Sequence, residues 1–265
     1  MTRQPARARK PSLSKEVLDL LHKREATRGL LIAFEGPDGA GKTTQRKLFR
    51  RWLEGQGHTV TTTKWASSPL VRPLIKARKR ARALGAEELC LLQAADFRHR
   101  LEQDILPALW RGRTVLADRY LFTGLSRDAA RGLDFDWMLH VYGPLFWPDI
   151  VFYFPISLDI AAQRVASKRS PKYYEAGQDV TNVADPLSSF RQFQARVMRE
   201  YENLALVFQF LTIDGEQPIY EQHKRIRKLF LEGSRRVWGE WNAEALAEWL
   251  TLGVGREEVK HASHE

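Results

Sequence analysis

The stretch FEGPDGAGKTTQ, Phe34 to Gln45, places three glycines within six residues and follows them at once with a lysine and two threonines. Gly36-Pro-Asp-Gly-Ala-Gly41-Lys42-Thr43 fits G-x-x-x-x-G-K-[ST], and it stands between an apolar run that reads as a strand and a segment that reads as a helix. The physical reason for the pattern is space and polarity. Glycines let the chain turn back so that several N–H groups face one anion, and a side chain there would fill the volume a phosphate needs. The positive end of the following helix adds to that field. The expected nucleotide contacts are therefore Gly36, Asp38, Gly39, Ala40, Gly41, Lys42, Thr43 and Thr44, with Lys42 reaching the β- and γ-phosphates of ATP and the Thr43 hydroxyl available to Mg²⁺.

Outward from this loop, apolar segments alternate with helical ones. GLLIAFEG, HTVTTTK, RTVLAD, PDIVFYFP and QFLTID read as strands. TTQRKLFRRWLEGQG, the span 86–111, LDIAAQRVASKR, DPLSSFRQFQARVMREYENLALVF and the span 217–250 read as helices. Such alternation predicts an α/β fold of three layers: a five-stranded parallel sheet with helices on both faces, and ligands at the carboxyl ends of the strands. Residues 1–27 read as a basic arm and short helix, 28–232 as one phosphate-binding domain with a lid near 165–177, and 233–265 as a helical extension and tail.

The 265 residues contain 42 Lys+Arg and 32 Asp+Glu, a net charge of +10 that points to anionic partners. The single cysteine, Cys90, rules out an internal disulfide framework and suits a reducing compartment, and EELCLLQAA places it on a buried helix face. No apolar run approaches the ~18 residues of a membrane span, and the basic N-terminus lacks the apolar core of a secretory signal, so a cytoplasmic protein is expected. Trp238, Trp241 and Trp249 suggest a seal against the domain or a second subunit; Glu240, Glu244 and Glu248 among them argue against nucleic acid.

The glycine loop with Thr44-Gln45, the LLxAAD helix, VLADRY, ARGLD, PDIVFYF, a helix ending QRVASKR, and TIDGEQP follow one another along the chain. In that order and spacing, from about Leu30 to Arg227, the chain resembles the thymidylate kinase family of nucleoside monophosphate kinases. It implies ATP- and Mg²⁺-dependent phosphoryl transfer to a nucleoside monophosphate, dTMP first among the acceptors, and a homodimer. By the same resemblance Arg119 holds the acceptor phosphate, Asp118 lies near the metal and the transferring group, and Asp38 accepts from the acceptor's 3′-hydroxyl. The segment 165–177 matches the family's lid, with Lys168, Arg169 and Lys172; because Gly39 occupies the place where one branch carries a loop arginine, Arg169 is expected to supply the catalytic cation.

The acceptor-base pocket departs from the family pattern. Gln93 stands where thymidylate kinases carry a stacking Phe, and Phe97 where they carry an edge-bonding Arg, so Phe97 is expected to stack and Gln93 to bond the base. Arg127-Asp128 replaces a Tyr-Gln pair, and Lys64-Trp-Ala-Ser-Ser68 replaces Arg-Glu-Pro-Gly-Gly, with Arg72 nearby to compensate for the lost fork of donors. Two alternatives stay open on the sequence: a kinase for another nucleotide or nucleoside, and a nucleotide-switched protein that binds nucleic acid or a partner.

Overall fold

The structure is a computed structural model and describes residues 29–143 and 146–233. Strand β1, Leu31–Glu35, leads into the glycine loop and helix α1, Lys42–Gly55. Then come β2 (Val60–Lys64), α2 (Arg72–Arg80) and α3 (Ala86–Arg100). A π-helical turn, Leu101–Ile105, joins α3 to α4, Leu106–Trp110. Next are β3 (Thr114–Asp118), α5 (Leu121–Ala129), α6 (Phe135–Tyr142), β4 (Ile150–Tyr153) and α7 (Leu158–Ala166). The described chain ends with α8 (Tyr173–Ala176), α9 (Pro186–Val207), β5 (Leu211–Thr212) and α10 (Ile219–Gly233).

All strand pairs are parallel, in the order β2-β3-β1-β4-β5. Because side chains alternate across a strand, Leu31 and Ala33 enter one core with Val115 and Ala117, whereas Ile32 and Phe34 enter the other with Leu116. The first core is completed by α3, α5 and α9; the second holds Phe49 of α1, Phe152, Phe154 and Phe230 of α10. Burial on both faces explains why these strands are continuously apolar. The expected three-layer architecture is therefore the one observed.

Register decides where the chemistry sits. Phe34 pairs with Asp118, so the glycine loop after β1 and the Asp118-Arg119 pair ending β3 leave neighbouring central strands at one edge. The fifth strand is only Leu211–Thr212, shorter than QFLTID suggested, and the helix expected over 86–111 carries the π-helical turn. Helices α2, α5, α6 and α8 were not among the expected elements. The expected N-terminal helix and the tryptophan-bearing C-terminal segment lie outside the described residues.

Candidate active site

The loop closes tightly on the sheet. A Cβ on Gly36, at φ 138°, would lie 2.8 Å from the Phe154 carbonyl oxygen, so only glycine lets β1 leave the sheet here. Gly41 takes a left-handed conformation at φ 82° and starts α1, its carbonyl accepting from the Thr44 and Gln45 amides at 3.0 and 3.2 Å. Among the described residues the amides of Gly39, Ala40 and Gly41 have no protein acceptor. That is the donor set a polyphosphate requires.

Lys42 is buried and its ammonium donates to the Pro37 carbonyl at the bend of the loop. Burial, reinforced by the Arg119 charge, pushes its pKa down to about 7 against the pull of Asp38 and Asp118. The Thr43 hydroxyl donates to Asp118 Oδ2 at 2.8 Å, and Arg46 Nε stands 3.5 Å from the same oxygen. No group of three or more His, Cys, Asp or Glu side chains arranged to hold a metal occurs among the described residues. Thr43 and Asp118 do put two adjacent oxygens beside the phosphate loop, which suits Mg²⁺, a cation that keeps waters and takes few protein ligands.

Arg119 has φ 69°, a strained conformation for a side-chain-bearing residue, and is anchored by its amide to the Phe34 carbonyl at 3.1 Å. Its guanidinium reaches the Gly36 carbonyl at 3.2 Å, Thr123 Oγ1 at 3.3 Å and the Asp38 carboxylate. Arg127 binds the other Asp38 oxygen at 2.9 Å, and Gln194 Nε2 donates to it at 3.3 Å. Burial works to raise the Asp38 pKa, but Arg119, Arg127 and Lys42 outweigh it and hold the carboxyl well below its ordinary range.

Beyond Asp38 a cleft of about 230 Å³ opens, lined among others by Lys64, Trp65, Gln93, Arg119, Arg127 and Arg131. Its lining combines guanidinium groups with an indole and an amide.

A thymidylate kinase family model matches residues 34–226. The chain belongs to the thymidylate kinase family. It is 38% identical over 207 residues to a "Probable thymidylate kinase 2" of Saccharolobus solfataricus, covering 77% of this chain and 97% of that protein. It is 34% identical over 212 residues to the "Thymidylate kinase" of Leifsonia xyli subsp. xyli, covering 75% and 93%, and 29% identical over 210 residues to a "Probable thymidylate kinase" of Thermococcus kodakarensis, covering 74% and 95%. The chain is thus a phosphotransferase of the nucleoside monophosphate kinase class, with ATP as phosphate donor and a nucleotide as substrate.

Within this thymidylate kinase frame, the structure gathers Lys42, Thr43, Asp118, Arg119, Asp38 and Arg127 around one edge of the sheet. Lys64 and Gln93 line the cleft. Arg72, at the exposed start of α2, is not among the cleft-lining residues. Phe97 is fully buried, with ring contacts to Tyr120 and Tyr142 at 5.0 and 6.1 Å, and the aromatic side chains that line the cleft are Trp65 and Tyr174. Arg169 is half exposed and paired with Glu175 at 2.7 Å. The cation that reaches the loop from α7 is Arg164, whose Nη1 donates to the Gly39 carbonyl at 3.3 Å and the Gly215 carbonyl at 2.9 Å.

Glu35 is a site residue that sequence reasoning passed over. It is fully buried and accepts from the Tyr120 amide at 2.7 Å, the Thr123 amide at 3.3 Å, Thr123 Oγ1 at 2.7 Å and the Tyr201 hydroxyl at 2.8 Å. Burial raises its pKa, partly countered by those donors. Arg131 was also missed; it is clamped by Asp179 at 2.8 Å and lies 4.6 Å over the Phe193 ring.

Proposed function

We propose that this protein converts dTMP to dTDP with ATP and Mg²⁺, using the residues around β1 and β3 in separate roles. The observation that carries the reading is Asp38, which joins the phosphate loop to the two arginines of the cleft. ATP lies with its phosphates on Gly36 to Thr43 and Thr44, its oxygens taking the amides of Gly39, Ala40 and Gly41 and the Lys42 ammonium. The acceptor's 5′-phosphate takes Arg119 and Arg127, and Asp38, released from them, accepts from the acceptor's 3′-hydroxyl. Lys64, which also lines the cleft, is a further cation.

Thr43 and Asp118 would hold Mg²⁺, which would supply positive charge to offset that of the phosphates. Phosphoryl transfer depends mostly on alignment and on fixed charge facing the moving group, and water must be kept out. Arg164 is the cation already in contact with the loop; the 165–177 segment closes over it and excludes water. Self-association through the exposed side chains Leu70, Leu74 and Leu91, and action in the cytoplasm, complete the proposal.

Its test is a panel of nucleoside monophosphates incubated with ATP and Mg²⁺, scored for diphosphate formation. Diphosphate from dTMP is the expected outcome. Transfer to none of them, with ATP binding intact and lost in Lys42→Ala, would sink the reading.

A further inference from the structure

We infer that Trp65 and Gln93 together read the acceptor base, with Trp65 as the surface it packs on and Gln93 as a donor-only contact to a base carbonyl. The inference rests on the proposed placement of a nucleoside monophosphate in the cleft and goes beyond it by assigning base choice to this pair.

Trp65 follows β2 directly and is locked on three sides. Its Nε1 donates to Gln93 Oε1 at 2.9 Å. Phe97 and Tyr142 pack on it at 6.1 and 6.4 Å, and the Arg100 guanidinium lies 5.4 Å over the ring. The tip of the indole passes over Gly124 of α5, where a Cβ would meet Trp65 Cη2 at 3.1 Å and the Tyr142 hydroxyl at 2.3 Å. A residue built in so closely does not turn away when a ligand enters; what remains open of it lines the cleft beside Gln93 and Leu89.

The same contact fixes the orientation of Gln93. Carboxamide oxygen and nitrogen are often interchangeable, but an indole N–H only donates, so the atom facing it is oxygen. Gln93 is buried, and its amide nitrogen, which only donates, is the group left for the cleft. Such a donor matches the 4-carbonyl of thymine or uracil and opposes the 4-amino group of cytosine, which would leave two donors face to face. Arg100 and Asp96 hold the arrangement from below, paired at 2.7 Å with Asp96 accepting from the Ser68 amide at 2.7 Å.

Three variants test the pair, each compared with wild type for dTMP and dCMP under saturating ATP, with circular dichroism and ATP binding confirming a folded protein. In Gln93→Glu the group facing the base accepts instead of donating, and the dTMP-over-dCMP ratio of kcat/KM is expected to fall at least about tenfold. Trp65→Phe keeps an aromatic surface but lets Gln93 flip, and is expected to relax the same ratio with a smaller change in the KM for dTMP. Trp65→Leu is expected to raise the KM for dTMP about tenfold or more while the KM for ATP stays within about twofold. A ratio unmoved in both Gln93→Glu and Trp65→Phe overturns the inference and leaves the kinase reading standing. A wild-type protein that phosphorylates no monophosphate removes both.

Discussion

Lys42 has an ammonium buried beside another cation and depressed to about pH 7 in the nucleotide-free protein. A polyphosphate on the loop supplies the negative charge that restores its proton. Nucleotide binding at pH 8 should therefore take up close to one proton, and binding at pH 6 should take up almost none. Calorimetry in buffers of different ionisation enthalpy reads this directly; uptake that persists unchanged in Lys42→Met would assign it to another group. The signs follow from the depressed value: above pH 7 the free lysine is mostly neutral, below it already charged.

Arg164 and Arg169 separate at the same scale. Arg164→Ala removes a cation held against Gly39 and is expected to lower kcat by ~10²-fold, the size typical of a lost charge-stabilising donor. Arg169→Ala, which removes a half-exposed partner of Glu175, should stay within about threefold; single-turnover phosphoryl transfer distinguishes them. The loop residues were legible because all of them occupy one continuous stretch. Arg164 against Arg169 was not, since both are basic and only the packing of α7 on the loop tells which one points inward. Trp65 was illegible for a like reason: its partner Gln93 is brought to it by the approach of β2 and α3.

At the level of elements, α5 shows why a helix can be hidden from sequence. Tyr120 at its start provides no side-chain cap, so the usual Ser, Thr, Asp or Asn signal is missing. The cap comes from Glu35 on a different strand, which takes the amides of Tyr120 and Thr123. Only the fold brings them together. Glu35→Ala leaves those amides and two hydroxyls without their acceptor, and urea unfolding should show a loss of about 1–3 kcal/mol or more, because uncompensated buried donors keep their full desolvation cost. The KM for the acceptor should rise as well, since Thr123 steadies Arg119. Strands β1, β3 and β4, by contrast, were plain in the sequence, being buried on both faces and apolar throughout.

Asp96 is a second element-level joint. Buried with Arg100, it ties α3 to the turn after β2, and Thr63 accepts from Arg100 at 3.1 Å. Removing the carboxylate strands a buried guanidinium, so Asp96→Ala should cost about 3–5 kcal/mol in a chemical denaturation experiment. LLxAAD marked this helix, and Asp96 and Arg100 stand one turn apart on it, but their joint to Ser68 and Thr63 was hidden because those residues belong to a separate turn and strand.

For the molecule as a whole, the five parallel strands place both anion sites at one edge, so ligand binding and global stability are linked. ATP at 100 times its Kd adds about 2.7 kcal/mol, which for a domain of this size is a rise in Tm of about 5–10 °C. Lys42→Met should abolish that rise while leaving the unliganded Tm within a few degrees, as differential scanning calorimetry would show. Chain order and strand number could be read from alternating apolar and helical segments, since those reflect burial that repeats along the chain. The shape of the cleft could not, because residues from separate elements meet to line it.

The carboxylate clasped by Arg119 and Arg127 also acts as a built-in competitor for any anion those guanidinium groups would bind. Small inorganic anions abundant in a cell find these guanidinium groups already satisfied, and must evict a covalently tethered competitor to linger there. On the proposed placement, a nucleotide would offer Asp38 a hydroxyl partner in exchange, so the cleft would favour visitors that bring both charge and sugar.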